Sequence, residues 1–449
     1  MSLRDIVKAY DIRGVVPDEL DPALARELGA AFVRFLGAER IVTAHDMRES
    51  SPGLAAAFAE GATAQGADVV EAGLASTDLL YFGSGTLDVP GAMFTASHNP
   101  ARYNGIKLCR AGAAPVGLES GLAEIRDLAE AGVPASDRPR GSVSSRDLLG
   151  DYAAYLIGLV PGIRDTRRLR VVVDAGNGMA GLTVPTVFGA LPVDLTPMYF
   201  ELDGSFPNHE ANPIDPDNLR DLQAEVVSQG ADIGLAFDGD ADRCFVVDER
   251  GALVSPSVLT ALIAERELAR EPGATIIHNL ITSHAVPEIV REHGGTPVRT
   301  RVGHSFIKAT MAETGAVFGG EHSGHFYFRE FWRADSGMLA ALHTLAALGS
   351  QDGPLSALLA SYDRYVGSGE VNSEVADPAA SLSAVRSAFA ARPGARTDEL
   401  DGLTVELDGD GWFNVRPSNT EPLLRLNVEA GDQASMEKLR DEVLAVIRG

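Results

Sequence analysis

One pattern occurs three times along this chain and constrains its fold more than any single residue does. At Arg40-Ile41-Val42-Thr43-Ala44, Arg170-Val171-Val172-Val173-Asp174 and Ala274-Thr275-Ile276-Ile277-His278, a short β-rich run leads through a polar loop into an Ala- or Val-rich helical segment. Each copy then reaches another apolar run that ends in a polar loop: Ala92-Met93-Phe94 into 95–100, Leu235-Ala236-Phe237 into an aspartate-rich turn, and Ala316-Val317-Phe318 into 319–325. The repetition implies three α/β domains of one architecture, each presenting a loop at the carboxyl end of a strand, where such sheets hold ligands. Strand-loop-helix units are common, so coincidence among α/β proteins stays open at this point.

Composition places the boundaries. The Pro-, Ser- and Arg-rich stretch 133–142 reads as a surface connection, 151–156 opens a helix, and a turn over Gly251 passes into a helix at 258–270. Near 365–369 the repeat stops. Beyond it, alternating strands at 403–407, 412–416 and 423–429 and a final helix at 434–447 read as a smaller α+β domain. The expected fold class is therefore α/β: three similar α/β domains with mixed sheets plus a smaller C-terminal α+β domain around a central cleft. The expected division is 1–145, 146–250, 251–366 and 367–449.

The chain has 449 residues, too many for one ordinary core, with a hydrophobic fraction of 45% and a charged fraction of 22%. No stretch has the apolar length of a membrane span, and 1–14 carries charges throughout, unlike a secretory signal. Two cysteines, Cys109 and Cys244, suit neither a disulfide framework nor zinc spacing, so a cytoplasmic location is expected. A formal net charge of -25 argues against nucleic acid and anionic membrane as partners. An anionic small substrate remains compatible if cations gather locally, and Arg13, Arg48, Lys107, Arg243, Arg301, Lys308, Arg416 and Arg425 stand in or beside polar loops. Any one of these taken alone reads equally as a solvated surface charge.

The aspartate-rich turn is Asp238-Gly239-Asp240-Ala241-Asp242-Arg243, after an apolar strand-like run. Three carboxylates packed this closely repel one another, and a divalent cation with oxygen preference is their natural partner. Arg243 keeps its charge and offers a planar fork to a phosphate or carboxylate. The bland alternative is an acidic turn facing water. A calcium loop is the sharper rival, because Asp238, Asp240, Asp242 and Glu249 fall at positions one, three, five and twelve of that pattern. It fails because Arg243 stands where glycine is needed, and Cys244-Phe245-Val246-Val247 continues as a strand.

Three further loops could carry chemistry. Ser97 and His98 lie side by side after a strand. No Gly-x-Ser-x-Gly surrounds the serine, which argues against a hydrolase and leaves a turn or cap serine as the plain reading. Lys107 follows ten residues on, a candidate acid, base or phosphoryl ligand. Glu321, Ser323 and His325 alternate in a glycine-rich loop suited to neighbouring sugar hydroxyls, though the pattern alone is weak. Arg416-Pro417-Ser418-Asn419-Thr420 combines an arginine, two hydroxyls and an amide, a pocket for one phosphate that is also a plausible strand-joining turn.

In order and separation, these four loops resemble the signature loops of the α-D-phosphohexomutases, on the phosphomannomutase/phosphoglucomutase branch. The likeness extends to Lys8-Ala9-Tyr10-Asp11-Ile12-Arg13-Gly14 and to Val302-Gly303-His304-Ser305-Phe306-Ile307-Lys308, so it spans all four expected domains. The resemblance implies an enzyme moving a phosphoryl group between O1 and O6 of a hexose phosphate, of mannose and also of glucose. The route it implies is a phosphoserine at Ser97 and a hexose 1,6-bisphosphate that serves as intermediate and activator. It implies Mg²⁺ held by Asp238, Asp240 and Asp242 with an oxygen on Ser97, and charge neutralisation by Arg243. Lys107 is the implied proton-transfer residue, with His304 and Arg13 assisting; His98 supports the serine loop and Tyr10 contacts substrate. Glu321, Ser323 and His325 would hold the sugar at positions three and four, and Arg416, Ser418, Asn419 and Thr420 the phosphate that is not reacting. A monomer or homodimer is expected.

Thr95-Ala96-Ser97, Ala241 and His322 look less like the glucosamine branch, which remains the alternative substrate class. The chain departs from the family pattern at 44–51, where His45 stands in place of a basic contact, and at 278–284, which lacks a lysine or arginine. A sugar-phosphate sensor on the same fold would lose the serine, an aspartate or the loop arginine, and none is missing. A magnesium-dependent phosphatase would release inorganic phosphate.

Overall fold

The computed structural model describes residues 3–409, 411–417 and 423–449, and of His304 the backbone alone. The chain forms two compact units, Met1–Pro256 with Ser323–Ala357 and Ser257–His322 with Leu358–Gly449.

The first unit holds two mixed sheets. One runs in the order Ile12–Val15, Tyr103–Arg110, Gly91–Phe94, Arg40–His45, Asp68–Leu74, Val143–Ser145. Its first two pairings are antiparallel and the rest parallel. The expected strands at 40–44 and 92–94 are present; the N-terminal strand Ile12–Val15 is one that patterning missed, being short and interrupted by Gly14. Helix Pro22–Leu36 starts where its sequence directs. Asp21 accepts from the Leu24 amide at 2.7 Å, Pro22 takes the first position, and Gly37 closes the end at φ 62°. It crosses helix Ser51–Ala64 so tightly that a β-carbon on Gly61 would stand 1.9 Å from the Arg26 carbonyl oxygen. Phe58 meets Phe94 edge to face and Phe32 at a tilt of 49°, and the three rings anchor the core.

The second sheet is ordered Leu253–Val254, Cys244–Asp248, Ile233–Phe237, Leu169–Asp174, Val193–Met198. Every residue of Ile233–Phe237 and Cys244–Asp248 is buried, as expected for strands covered on both faces. Their antiparallel register pairs Phe237 with Cys244, so 238–243 is the loop of a hairpin, and the parallel register sets Asp174 beside Ala236. Helix Gly337–Gly349 is buried along its whole length and packs so close to this loop that a β-carbon on Gly337 would meet the Arg243 backbone at 2.6 Å.

In the second unit Thr275–Asn279 lies between Thr296–Thr300 and Phe318–Gly320, all parallel. The expected strand at 316–318 starts two residues later, because Gly315 at φ 69° still closes the preceding helix and the glycines after Phe318 continue the ladder. The C-terminal sheet is antiparallel, ordered Val366–Glu374, Leu423–Ala430, Gly411–Pro417, Leu403–Leu407, Arg396–Asp398, with helices Pro378–Phe389 and Gln433–Arg448 closing its core. Among the described residues no helix is long and apolar enough to cross a membrane.

Candidate active site

The first unit gathers Ser97, His98, Lys107, Asp238, Asp240, Asp242, Arg243 and His325. Ser97 follows strand Gly91–Phe94 in a left-handed conformation, φ 51°, which costs a non-glycine residue roughly 1 kcal/mol and persists only where neighbours impose it. Those neighbours are visible. Thr95 Oγ1 accepts from the Ser97 amide at 2.9 Å, and the buried Arg48 guanidinium donates to the carbonyls of Ser97, Asn99, Pro100 and Tyr103 at 2.7 to 3.0 Å. The same guanidinium pairs with Asp46 at 3.2 Å, so an ion pair with almost no exposure serves as the floor of the serine loop. His45 turns Nδ1 onto the Asp46 carbonyl oxygen at 2.9 Å.

The serine and aspartate loops touch through backbone. A β-carbon on Gly239 would stand 2.5 Å from the Ser97 carbonyl oxygen, which explains glycine between two aspartates. This approach lets Ser97 Oγ donate to Asp238 Oδ2 at 2.9 Å and accept from Arg243 Nη2 at 3.0 Å. Arg243 Nε also donates to Asp238 Oδ2 at 2.8 Å. Arg243 Nη2 donates to His98 Nδ1, and burial, with the Arg243 and Arg13 charges, holds the imidazole well below its ordinary pKa, so His98 is a neutral acceptor. Arg13 itself reaches Asn99 Oδ1 at 2.5 Å and pairs with Asp11; it borders the serine loop without contacting the serine. Tyr10 is half-buried in the turn before strand Ile12–Val15.

Lys107 Nζ donates to Asp240 Oδ2 at 2.6 Å and Asp242 Oδ2 at 2.7 Å. Burial alone would lower its pKa, but the two carboxylates outweigh burial and hold it well above the usual lysine value. Burial would likewise raise Asp240, yet Lys107, together with Thr77 donating at 2.5 Å, holds it below the ordinary carboxylate range. Asp238 goes the other way: burial and the Asp242 and Asp240 charges push it up to about 7 against the pull of Arg243. The cluster is short of positive charge. Asp238, Asp240 and Asp242 place one oxygen each within 4.8 Å of one another, and the buried Asp240 Oδ1 and Asp242 Oδ1 have no hydrogen-bond partner among the described residues. Converging, under-donated carboxylates are what a hard divalent cation requires, so the donor set fits a metal ion.

His325 is placed differently from its expected neighbours. A backbone bridge joins it to Arg243, and its Nδ1 lies 2.9 Å from Asp335 Oδ2 and 3.8 Å from Asp242 Oδ1. Burial would lower its pKa, but the two aspartates raise it. It therefore flanks the carboxylate loop, and Ser323, two residues earlier, is half-buried. Asp335 escaped sequence reasoning, as did Asp78, which takes bonds from Ser76, Tyr152 and Ser336 beneath the site. Neither belongs to a recognisable motif.

In the second unit, buried Glu321 accepts from the Gly303 amide at 3.1 Å and from Asn279 Nδ2 at 3.4 Å, just ahead of the helix that His304 begins. Arg416, expected to await a phosphate, is paired with Glu370. Ser418, Asn419 and Thr420 lie outside the described residues.

A buried serine against three carboxylates, an arginine and a lysine, on an α/β scaffold, defines a metal-assisted phosphoryl-transfer enzyme. Family models for phosphoglucomutase/phosphomannomutase match in chain order: alpha/beta/alpha domain I at 4–133, domain II at 152–251, domain III at 255–365 and the C-terminal domain at 370–446. The chain belongs to the phosphoglucomutase/phosphomannomutase family, and its activity is that of a phosphohexose mutase. It is 42% identical over 448 residues to phosphohexose mutases of Xanthomonas campestris pv. campestris, covering 98% of this chain and 99% of that one. To a phosphomannomutase of Escherichia coli K12 it is 39% identical over 452 residues, covering 98% of each. A crystal structure of a phosphoglucomutase/phosphomannomutase family protein from Burkholderia thailandensis superposes with TM-score 0.90 at 35% identity, covering 100% of this chain and 98% of that one. The expected three α/β domains with mixed sheets and a C-terminal domain are thereby borne out.

Proposed function

We propose that this enzyme interconverts the 1- and 6-phosphates of mannose and of glucose through a phosphoserine at Ser97 and a hexose 1,6-bisphosphate. The observation that carries the reading is the contact of Ser97 Oγ with both Asp238 and Arg243, at 2.9 and 3.0 Å, beside two carboxylate oxygens lacking partners among the described residues. The names borne by the relatives from Escherichia coli and Xanthomonas support mannose and a broader hexose range.

In the forward half-reaction the bond between phosphorus and Ser97 Oγ breaks as one forms to the free O6 or O1 of the sugar phosphate, and the proton given up by the sugar hydroxyl is balanced by one delivered to the freed Ser97 Oγ. In the second half the other phosphate returns to Ser97. Mg²⁺ would be held by Asp238, Asp240, Asp242 and an oxygen on Ser97, and when bound it offsets the charge of the transferring group. Arg243 faces the Ser97 oxygen and steadies the same charge with a fixed fork. Lys107, charged through its carboxylate partners, is our candidate for proton exchange at the reacting oxygen, with His304 and Arg13 assisting. His98, neutral and held by Arg243, supports the serine loop. His325, fixed through Nδ1 by Asp335, presents its other ring nitrogen; with Tyr10, Glu321 and Ser323 it would orient the sugar. Arg416, Ser418, Asn419 and Thr420 would take the phosphate that is not reacting. We keep the four-domain division 1–145, 146–250, 251–366 and 367–449 as our reading, with a cytoplasmic monomer or homodimer as the working form.

The test is turnover of mannose 1-phosphate, glucose 1-phosphate and glucosamine 1-phosphate, each with Mg²⁺ and a trace of glucose 1,6-bisphosphate. Isomerisation of the first two is expected and should vanish in Ser97→Ala. Preference for the glucosamine compound, or a Ser97→Ala enzyme with near-normal rates, contradicts the proposal.

A further inference from the structure

The C-terminal sheet carries an anion of its own beside the arginine assigned to phosphate. Strands Gly411–Pro417 and Leu423–Ala430 pair antiparallel with Arg416 directly opposite Arg425, a like-charge pair that repels unless something lies between. Glu370, on the adjoining strand Val366–Glu374, lies between. Its Oε2 accepts from Arg416 Nη2 at 2.6 Å and its Oε1 from Arg425 Nη1 at 3.2 Å. Among the described residues Glu370 thus holds each arginine by one nitrogen, although a guanidinium meets a carboxylate or phosphate most strongly with two. Arg416 Nε and Arg425 Nε are buried and have no hydrogen-bond partner among the described residues. His322, in the loop expected to hold sugar hydroxyls, is close enough to feel both the Glu370 and Arg416 charges. The two guanidiniums therefore have donor capacity that Glu370 leaves unused, and a carboxylate that an arriving phosphate must face or displace.

We propose that Glu370 competes with the substrate's non-reacting phosphate for Arg416 and Arg425, holding phosphate affinity low enough for the bisphosphate to let go and turn between half-reactions. This rests on the reading of Arg416 as a phosphate ligand. Without an anion the two arginines would repel each other and splay; with Glu370 they stay gathered at a net charge of one positive. When phosphate binds, Glu370 either swings aside or stays as a neighbouring like charge, and both subtract from affinity. A mutase whose intermediate must be released from one grip before being caught in the reverse orientation gains from such a ready replacement. In this role Glu370 tunes specificity for charge and the rate of exchange, and it takes no part in bond making.

The experiment is titration calorimetry of full-length protein with inorganic phosphate, without added metal, for the parent, Glu370→Gln, Glu374→Gln and Arg416→Ala. Glu374 is exposed on the same strand, so its substitution changes net charge equally without touching the arginines. Glu370→Gln should bind phosphate about tenfold tighter than the parent, the size expected on removing one like charge from a partly exposed site, and Glu374→Gln should match the parent. Steady-state turnover should then show KM and kcat falling together in Glu370→Gln, because tighter holding slows exchange. Phosphate binding in Glu370→Gln that is unchanged or weaker, or an equal gain in Glu374→Gln, overturns the inference. If Arg416→Ala loses binding while Glu370→Gln gains nothing, only this inference falls. If Arg416→Ala binds like the parent, the phosphate assignment of Arg416 fails and the inference fails with it.

Discussion

Replacing Arg48 by lysine should disable the enzyme by loosening the serine loop, although Arg48 stands outside the reacting cluster. The side chain is 1% exposed and spends its donors on Asp46 and on four carbonyls, those of Ser97, Asn99, Pro100 and Tyr103. Lysine keeps the charge, but its single nitrogen cannot reproduce a fork that spans all four carbonyls. At least two would lose their donor. A buried polar group without its partner costs about 1–3 kcal/mol, so the closed loop should weaken by about 3 kcal/mol. Hydrogen exchange at amides of 97–104 should accelerate about 100-fold as the loop opens to recover water. Ser97 keeps its φ of 51° and its reach to Asp238 only in the closed loop, so kcat should fall about 100-fold with it. Alanine should do more harm, because burial already raises the pKa of Asp46 and Arg48 is the largest influence lowering it. Exchange rates and kcat matching the parent in Arg48→Lys would refute the argument that these bonds impose the loop.

Other predictions follow from the same contacts. Gly239→Ala places a β-carbon 2.5 Å from the Ser97 carbonyl, forcing the two loops apart; kcat should drop about 100-fold while the circular dichroism spectrum is kept. Asp335→Asn should free the His325 ring, lowering kcat with little change in KM, and Asp335→Glu should restore less than half of the loss. Burial pushes Asp78 up to about 6 despite three hydroxyl partners, from an ordinary value of 3.8. The folded state therefore holds this proton more tightly than the unfolded one. The stability it contributes is full below the unfolded value and is lost as pH rises through about 6, at most ~3 kcal/mol. Asp78→Asn should flatten that part of the profile when urea midpoints of variant and parent are compared. Chelation of divalent cations should abolish turnover and added Mg²⁺ should restore it, as measured by a coupled assay.

What could be read from the sequence was what lies contiguous in it. The run from Asp238 to Arg243 and the serine loop each carry their chemistry within a few residues, and the apolar strands that deliver them are patterned plainly enough to locate. Other features were not legible for physical reasons. Arg48 looked like one cation among many, since the four carbonyls it gathers belong to residues some fifty positions away. Glu370 and Asp335 stand in unremarkable segments and matter only through pairing across strands and loops. His325 alternates with Glu321 and Ser323, which suggested one shared task. No pattern in the sequence shows the backbone bridge to Arg243 that also sets it against the carboxylate loop. The strand through Gly319 and Gly320 was hidden because glycine reads as a loop until a partner strand supplies the ladder.

The most direct measurement of the central claim is a phosphorus NMR time course with Mg²⁺, mannose 1-phosphate and a trace of glucose 1,6-bisphosphate. The 1-phosphate resonance should convert to that of the 6-phosphate, with no growth of inorganic phosphate. Accumulation of inorganic phosphate in proportion to substrate lost would contradict a mutase acting through Ser97.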